Sequence, residues 1–332
     1  MIRSFAFSTQ GRLHSQDIDP FLMPTVLADT ELFLWVDLED PTKREVEMVL
    51  EEIFKFHPLS IEDCVNESSA PKVEEYLPKD EDLFSPYLFL VIHAVDYSRE
   101  DGVFATSELN FFLGRKFLVT FHEQTLDSIE QAFELCKRRK SSAAKAPDRV
   151  AHMLLDALVD NYRPALEELA LEISEIEDQV LDGARKESLN KIIQIKKEVF
   201  HLRQIMDPQR QVLSRLARGE FQLIRPKMVP YFRDVYDGLF HIYERAQRYT
   251  DSVTGILQVY LNLSSNQTGE VVKLLTMITL ITTPMMMVGT WYGMNFDGMP
   301  ELASRWGYVT VLSVTTLSTG ATYWYFKRKR WL

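Results

Sequence analysis

Cysteine and net positive charge are what this chain most clearly lacks. Two cysteines among 332 residues, Cys64 and Cys136, cannot build a disulfide framework or a cysteine-rich zinc site. The 37 Lys and Arg residues are outnumbered by 48 Asp and Glu residues, which leaves a formal charge of −11. Because binding to nucleic-acid phosphates requires clustered basic side chains, this balance argues against a nucleic-acid partner.

Signatures of catalysis and of secretion are missing as well. The seven histidines form no HExxH or nucleophile motif, and no glycine-rich loop is placed to hold a phosphate. Residues 1–10 contain no sustained apolar run of the kind found in a signal peptide. We therefore expect a protein that is not an enzyme, has no organic cofactor and carries no signal peptide.

Two windows near the C-terminus carry no charged side chain. One has 23 residues and follows Lys273, and the other has 21 residues and ends before Lys327. Each exceeds the roughly 20 residues that a helix needs to cross a bilayer core, and aromatic residues lie at the window ends as in a membrane belt. The sequence predicts two membrane spans, about 274–292 and 306–326, with a buried core helix as the alternative for either.

A basic tail, 327–332, predicts the topology. Lys and Arg are enriched on the cytoplasmic side of membrane spans, so the C-terminus is expected in the cytoplasm. Two spans return the chain to the side on which it started, so the N-terminal portion is expected there too, with 293–305 as the outer loop. We predict a multi-pass protein of the cell (inner) membrane with both termini cytoplasmic. The basic residues are Lys327, Arg328, Lys329 and Arg330.

The first 140 residues predict an α+β cytoplasmic domain, with a mixed sheet flanked by helices. Runs rich in Phe, Leu, Val and Ile predict strands, and helical periodicity predicts helices between them. Turn residues after Glu100 predict a hairpin, so part of the sheet should be antiparallel. The predicted strands are Ile2–Phe7, Leu32–Leu38, Tyr87–Val95, Ser107–Leu113 and Phe117–Phe121; the predicted helices are Thr42–Phe54, Pro58–Val65 and Leu126–Arg139.

Residues 148–219 predict a cytoplasmic helical hairpin, an acidic helix followed by a return helix. Apolar residues recur at three- and four-residue steps from Leu166 to Val180, which indicates a helix. The stretch 164–184 also contains seven acidic residues and no Lys or Arg. This acidic face is either an ordinary solvated surface or a lure that concentrates cations near a pore mouth.

A heptad pattern from Phe232 to Leu263 predicts that a long helix packs along other helices. No proline interrupts the pattern until Pro284. One continuous stalk helix over 231–292 would be roughly 90 Å long at 1.5 Å per residue, so we expect it to run from the cytoplasm into the first span.

A polar stripe lies inside the first span. Its hydroxyls either bond to their own helix or a neighbouring one, or they line a wet pore. Two spans of one chain cannot enclose a channel, so a pore requires several copies of this helix around an axis, and the same assembly would account for the heptad pattern. The stripe consists of Gly269, Val272, Thr276, Thr279, Thr283, Met286 and Thr290.

The most specific motif stands at the outer end of the first span. Tyr292-Gly293-Met294-Asn295-Phe296 is followed by Met299-Pro300-Glu301-Leu302. With Gly-Met-Asn between two C-terminal spans, the chain resembles the CorA family of divalent-cation channels, in particular its bacterial and archaeal magnesium branch. The resemblance extends over Pro71–Glu74, Asp156–Asp160, Pro230–Asp237 and the closing Lys-Arg-Lys-Arg-Trp-Leu.

The resemblance implies a homopentameric α-helical membrane channel whose long helix lines the pore, with the second span outside it. It implies selection of hydrated magnesium at a ring of Gly293, Met294 and Asn295, with cobalt or nickel also admitted. Magnesium holds its waters tightly, so neutral oxygen donors can bind the water shell without stripping it. Asp297 and Glu301 lie just beyond, where they either attract cations to the mouth or form an ordinary loop.

Along the pore the chain departs from the family pattern. Gly269 stands where relatives often carry Asn, and Val272 and Thr283 stand where they often carry Met. A Thr makes the lining wetter, so we assign the apolar gate to Val272, Leu275 and Met286.

In the family, magnesium bound between cytoplasmic domains holds the pore shut. The matching motif places Asp234 at that interface, with Asp237 one turn away and Asp96 as its partner. Magnesium is thus expected as both cargo and regulator. Two other functions stay open: a zinc transporter of the same superfamily, which the absence of Cys and His in the outer loop disfavours, and a membrane-anchored coiled-coil sensor without transport.

Overall fold

The computed structural model describes residues 1–66, 70–78, 84–100, 103–138, 144–294, 305–329 and 331, with the backbone alone at 96–100, 103 and 138. The chain divides into two compact units. The first unit is Met1–Gln179 with Lys186–Leu257, and the second unit is Val180–Arg185 with Gln258–Leu332.

A seven-stranded mixed sheet is the centre of the first unit. Its order is β2-β1-β3-β7-β6-β5-β4, with β3 and β7 parallel and every other neighbouring pair antiparallel. This confirms the mixed sheet and the β5–β6 hairpin. The strands are β1 Ile2–Ser8, β2 Leu13–Gln16, β3 Leu32–Glu39, β4 Lys72–Tyr76, β5 Tyr87–Glu100, β6 Val103–Gly114 and β7 Phe117–His122.

The helices follow the predicted pattern with two additions. The short α1 was not predicted, and the segment predicted as a two-helix hairpin also contains α5 before the acidic α6 and the return helix α7. Two short 3₁₀ turns, Pro20–Leu22 and Pro226–Met228, precede α1 and α8. The helices are α1 Met23–Ala28, α2 Lys43–Val46 continuing as a π-helix over Glu47–Ile53, α3 Pro58–Val65, α4 Asp127–Arg138, α5 Pro147–Asp160, α6 Tyr162–Leu181, α7 Lys186–Ala217, α8 Val229–Tyr292 and α9 Gly307–Arg328.

Helices cover both faces of the sheet. Alternate residues of a strand point to opposite sides, and in this sheet apolar side chains point to both. On one face Leu34 and Val36 of β3 join a buried core with residues of α1, α2 and α3. On the other face Trp35 stacks on Phe133 of α4, with ring centroids 4.3 Å apart. Burial of these apolar side chains is the main driving force for folding of the first unit.

The heptad pattern of α8 packs within its own chain over the part that belongs to the first unit. Phe232, Val235, Leu239 and Val253 are all buried. Their surroundings include α5, since the ring centroids of His152 and Phe232 lie 5.9 Å apart. On the α7 side, Arg203 donates to the Thr250 hydroxyl at 3.3 Å and the Tyr243 hydroxyl at 3.4 Å.

The expectation that this pattern reflects several copies of the helix is therefore wrong for these positions. Helices of the same chain pack against these apolar heptad positions. Because the positions are already shielded from water, no second copy is needed to bury them.

In the second unit, α8 continues unbroken through Pro284 to Tyr292, which confirms the continuous long helix. Among the helices of the described ranges, Pro226–Tyr292 is the one with a stretch long and apolar enough to cross a membrane. The second predicted span, 306–326, is helical as α9 Gly307–Arg328 but is less apolar, because Thr, Ser and Gly occupy many of its positions.

Candidate ion pathway and metal site

The predicted stripe lies mostly on the exposed surface of α8 within the second unit. Val272, Leu275 and Met286 are exposed by 56%, 63% and 68%, and Gly269, Thr279 and Thr290 are also exposed. Thr276 and Thr283 are half-buried, because they lie toward α9. A single chain thus presents apolar and hydroxyl side chains that the described residues of the second unit do not cover completely.

The threonine hydroxyls of the stripe donate to their own helix. Thr276 donates to the Val272 carbonyl at 2.8 Å, Thr279 to the Leu275 carbonyl at 2.9 Å, and Thr283 to the Thr279 carbonyl at 2.6 Å. A hydroxyl has one donor and two acceptor lone pairs, so each oxygen keeps its acceptor capacity after the proton is used. The back-bonding expected as one alternative is therefore present, and it leaves a row of acceptor oxygens.

The outer end of α8 turns tightly at Gly293. Its amide donates to the Gly289 carbonyl at 3.0 Å, and the Met294 amide donates to the Trp291 carbonyl at 3.4 Å. A Cβ atom on Gly293 would lie 3.0 Å from the same Gly289 oxygen, which is too close for an ordinary contact. A side chain at this position would therefore disturb the helix end.

Beyond this turn the predicted selectivity residue Asn295 and the loop acids Asp297 and Glu301 lie outside the described residues. Met294 is described: it is 47% exposed and lines a cavity of about 610 Å³ together with Met287 of α8 and Val311 of α9.

The carboxylates predicted to bind regulatory magnesium lie in the first unit. Asp234 and Asp237 are both exposed on α8. Asp96 belongs to β5, but its side chain is outside the description, so the predicted pairing of Asp96 with Asp234 is untested.

The structure adds two carboxylates that sequence reasoning did not include in this site. Desolvation raises the pKa of Asp156 on α5, and the negative charges of Asp160 and Asp234 raise it further. The sequence contained an indication of this pair. Asp156 and Asp160 are four residues apart, which places them on one helix face, and they lie in a segment that resembles the CorA family. Three acidic groups from α5 and α8 therefore act on one another.

Within a single chain these carboxylates do not close around an ion. In the ranges that the structure describes, no group of three or more His, Cys, Asp or Glu side chains is arranged to hold a metal. Desolvation is the main cause of the raised pKa of Asp156, and the charges of Asp160 and Asp234 add to it; a proton or a bound cation would relieve that charge.

Known proteins resemble this chain over nearly its whole length. Residues 31–328 match the family described as CorA-like Mg²⁺ transporter protein. The cobalt/magnesium transport protein CorA of Thermotoga maritima is 35% identical over 92% of this chain and 85% of its own length. The putative metal ion transporter YfjQ of Bacillus subtilis is 31% identical over 90% of this chain and 89% of its own length.

A solved structure shares the fold. The CorA magnesium transporter from Methanocaldococcus jannaschii superposes with a TM-score of 0.80 at 21% identity, covering 99% of this chain and 98% of that one. The mixed sheet between helices and the long helix α8 are thus the architecture of a full-length transporter. By its family match and by its identity to these relatives, the chain belongs to the CorA family of magnesium transporters.

Proposed function

We propose that the chain conducts hydrated magnesium across the cell membrane as a ring of five copies, with α8 of each copy lining the pore. The single observation that carries this proposal is the row of threonine acceptor oxygens along α8, of which Thr279 is exposed and Thr276 and Thr283 are half-buried at the side toward α9. The names of the Thermotoga and Methanocaldococcus relatives support magnesium and cobalt as the transported ions.

The threonine row suits a hydrated cation. Waters bound to magnesium direct their hydrogens outward, so the shell needs acceptors and not donors around it. Thr276, Thr279 and Thr283 have used their hydroxyl protons on backbone carbonyls and offer acceptor oxygens. Because magnesium gives up its waters reluctantly, a lining that binds the shell lets the ion pass without dehydration.

Selection is proposed at the outer end, by a ring of Gly293, Met294 and Asn295. The Asn295 amide oxygen is neutral, so it binds the water shell without holding a divalent ion as tightly as a carboxylate would. The helix end at Gly293 supports this role, because a Cβ atom there would lie 3.0 Å from the Gly289 carbonyl oxygen and would force the helix end to shift. Asp297 and Glu301 would then raise the local cation concentration at the mouth.

The gate is proposed at Val272, Leu275 and Met286, whose exposed apolar side chains would form rings that exclude water when the pore narrows. Gly269 and Thr290 complete the lining. A pore that binds the ion through its water shell would also pass cobalt and nickel, which carry similar water shells.

Feedback is proposed at Asp234 and Asp237, with Asp96 of a neighbouring copy as the partner. Asp156 supports this site, because the charge of Asp234 is one of the causes, after desolvation, that raise the pKa of Asp156. Magnesium between two copies would remove that repulsion and hold the cytoplasmic domains together, and its loss would loosen them.

This function places the domain 1–140, the hairpin region 148–219 and the tail 327–332 in the cytoplasm, and 293–305 outside. The stalk 231–292 joins the two sides, and 306–326 forms the second span. The partners are further copies of the chain, the lipid bilayer and divalent cations.

Ion uptake by the purified full-length protein in liposomes tests the proposal. We expect magnesium to enter down its gradient, cobalt to compete with it, and zinc to compete weakly. Absence of magnesium uptake by an assembled, folded protein would contradict the proposal, and uptake dominated by zinc would favour the zinc branch.

A further inference from the structure

A cleft of about 830 Å³ opens between α8 and α9 at the basic end of the second unit. Leu280 and Pro284 of α8 line one side, and Ala321 and Phe326 of α9 line the other. Its volume lies within the roughly 300–1,000 Å³ typical of ligand sites.

The threonine hydroxyls that line this cleft are not available to an occupant as donors. Thr276 and Thr283 donate to carbonyls of α8, and Thr322 donates to the Ser318 carbonyl of α9 at 2.9 Å. The remaining wall is aliphatic or aromatic apart from the Tyr325 phenol and the Lys329 ammonium group. A hydrocarbon chain carries no hydrogen-bonding groups of its own, so it can enter between the aliphatic and aromatic side chains without losing a hydrogen bond.

The rim of the cleft is cationic. Lys329 is its charged lining residue, and Lys327 and Arg328 lie in the same last turn of α9. The acidic residues described in the second unit are Asp182 and Glu270, and neither forms an ion pair with this tail. Across the rim Trp331 stacks on Phe326, with ring centroids 5.5 Å apart, as an aromatic residue at a membrane interface does.

We propose that this cleft binds one anionic phospholipid, with an acyl chain between α8 and α9 and the headgroup phosphate at Lys329. This inference rests on one part of the proposed function, namely that α8 and α9 lie in the membrane, and it does not depend on the conduction of ions. Charge complementarity selects the anionic lipid over a zwitterionic one, since each basic residue near an anionic headgroup contributes about 1 kcal/mol.

Native mass spectrometry of the full-length protein tests this site. The protein is exchanged into detergent with equal amounts of phosphatidylglycerol and phosphatidylcholine, and the lipids retained per chain are counted. We expect one phosphatidylglycerol per chain, retained in preference to phosphatidylcholine. Lys329→Gln should weaken this binding about fivefold, the equivalent of 1 kcal/mol. Lys327→Gln, which removes the same charge from a residue that does not line the cleft, should weaken it less.

A second variant tests the position of the acyl chain. Ala321→Phe fills the cleft and should abolish retention of phosphatidylglycerol while the mass of the protein assembly stays unchanged. Ser313→Phe, the same bulk on an exposed part of α9 away from the cleft, should retain the lipid.

Three results would overturn the proposal. Equal retention of both lipids would show that the headgroup is not recognised. Displacement of the lipid by inorganic phosphate alone would identify a phosphate site without a chain. A changed assembly mass in Ala321→Phe with an unchanged lipid count would show that a second copy of the chain covers the cleft. A defect in transport affects none of these readouts.

Discussion

At the scale of single residues, a threonine hydroxyl has two roles that sequence alone could not separate. The spacing of Thr276, Thr279 and Thr283 indicated a stripe, and both back-bonding and a wet lining were open. The structure shows that the proton is used within the helix, and hydroxyl chemistry then leaves the oxygen as an acceptor. Back-bonding and a wet lining are therefore compatible.

Replacing Thr279 by Val tests whether these oxygens carry ions. The two side chains have nearly the same shape, so the ring keeps its width and loses one acceptor per copy. If each lost hydrogen bond is worth about 1 kcal/mol, the rate of magnesium uptake into liposomes should fall roughly fivefold or more. Thr316→Val is the matched control, because Thr316 is also exposed and back-bonded but lies on α9. Equal losses in the two variants would contradict a lining role for Thr279.

Replacing Asn295 by Gly separates a selectivity role from a helix cap. Asn is common at helix C-termini in the left-handed conformation, and Gly tolerates that conformation at least as well, so a pure cap would survive the change. A ring of amide oxygens would vanish. We expect an assembled, folded protein that no longer takes up magnesium at low external concentration. Near-normal uptake would reduce Asn295 to a structural residue.

A buried histidine gives the first unit a pH dependence. His122 and Asp37 are both fully buried, with His122 Nε2 3.3 Å from an Asp37 carboxylate oxygen. Burial lowers the pKa of His122, but the hydrogen bond and the charge of Asp37 outweigh it, so the net pKa is raised. Because the pKa of His122 is higher in the folded than in the unfolded state, protonation of His122 stabilises the fold. This stabilisation is complete below about pH 6.5, the ordinary pKa of histidine, and is lost as the pH rises through the folded-state pKa.

We therefore expect the thermal stability of the full-length protein, measured with EDTA present, to fall as the pH is raised above about 6.5. The dependence should be weaker in His122→Gln, because that variant removes the proton that the pair retains. His14→Gln, at an exposed histidine, should keep the wild-type profile. A pH profile that is the same in all three proteins would show that the His122–Asp37 pair does not contribute.

At the scale of elements, a strand could be predicted from the sequence when it formed a long run of apolar residues. Five strands were found from the sequence because they are buried on both faces, as all six residues of β7 are. The missed strands β2 and β4 form the two edges of the sheet and carry polar residues, which is how exposed edges avoid pairing with other chains.

The long helix shows the limit of periodicity as a signal. The heptad pattern correctly predicted that α8 packs along other helices, but periodicity does not say whether the partner is the same chain or a copy. Phe232 and Val235 are buried within one chain, so that part of the pattern carries no information about assembly. The sequence likewise identified only some of the acidic residues near α8. Asp156 joined the site only because the structure shows that the charge of Asp234 contributes to its raised pKa.

Replacing Asp234 by Ala tests the proposed regulatory element. If magnesium bridges carboxylates of neighbouring copies, magnesium should protect the wild-type protein from limited proteolysis, and this protection should weaken in Asp234→Ala. Asp251→Ala is the matched control, because Asp251 is an exposed acid on the same helix. Unchanged protection in Asp234→Ala would exclude the proposed role, and equal loss in both variants would assign it to the general charge of α8.

At the scale of the whole molecule, the family and its fold could be predicted from the sequence and the assembly could not. The Gly-Met-Asn unit between two uncharged windows pointed to the family, and the match over residues 31–328 confirms it. Residues proposed to act between copies are harder to identify, because Asp234 and Asp237 are exposed in one chain and their proposed partners belong to another copy.

The ring itself is the last prediction. A pore lined by α8 requires several copies, and the family resemblance sets the number at five. The detergent-solubilised protein should therefore have a protein mass near five times the 38.6 kDa of one chain. The exposed Val272, Leu275 and Met286 would then face a common axis, so cysteines placed at Leu275 in a background without Cys64 and Cys136 should crosslink between copies. Cysteines placed at Leu312 on α9, which the resemblance puts outside the ring, should crosslink poorly. A monomeric or dimeric mass would contradict the ring, and with it the pore, because one or two copies of α8 cannot surround a hydrated ion.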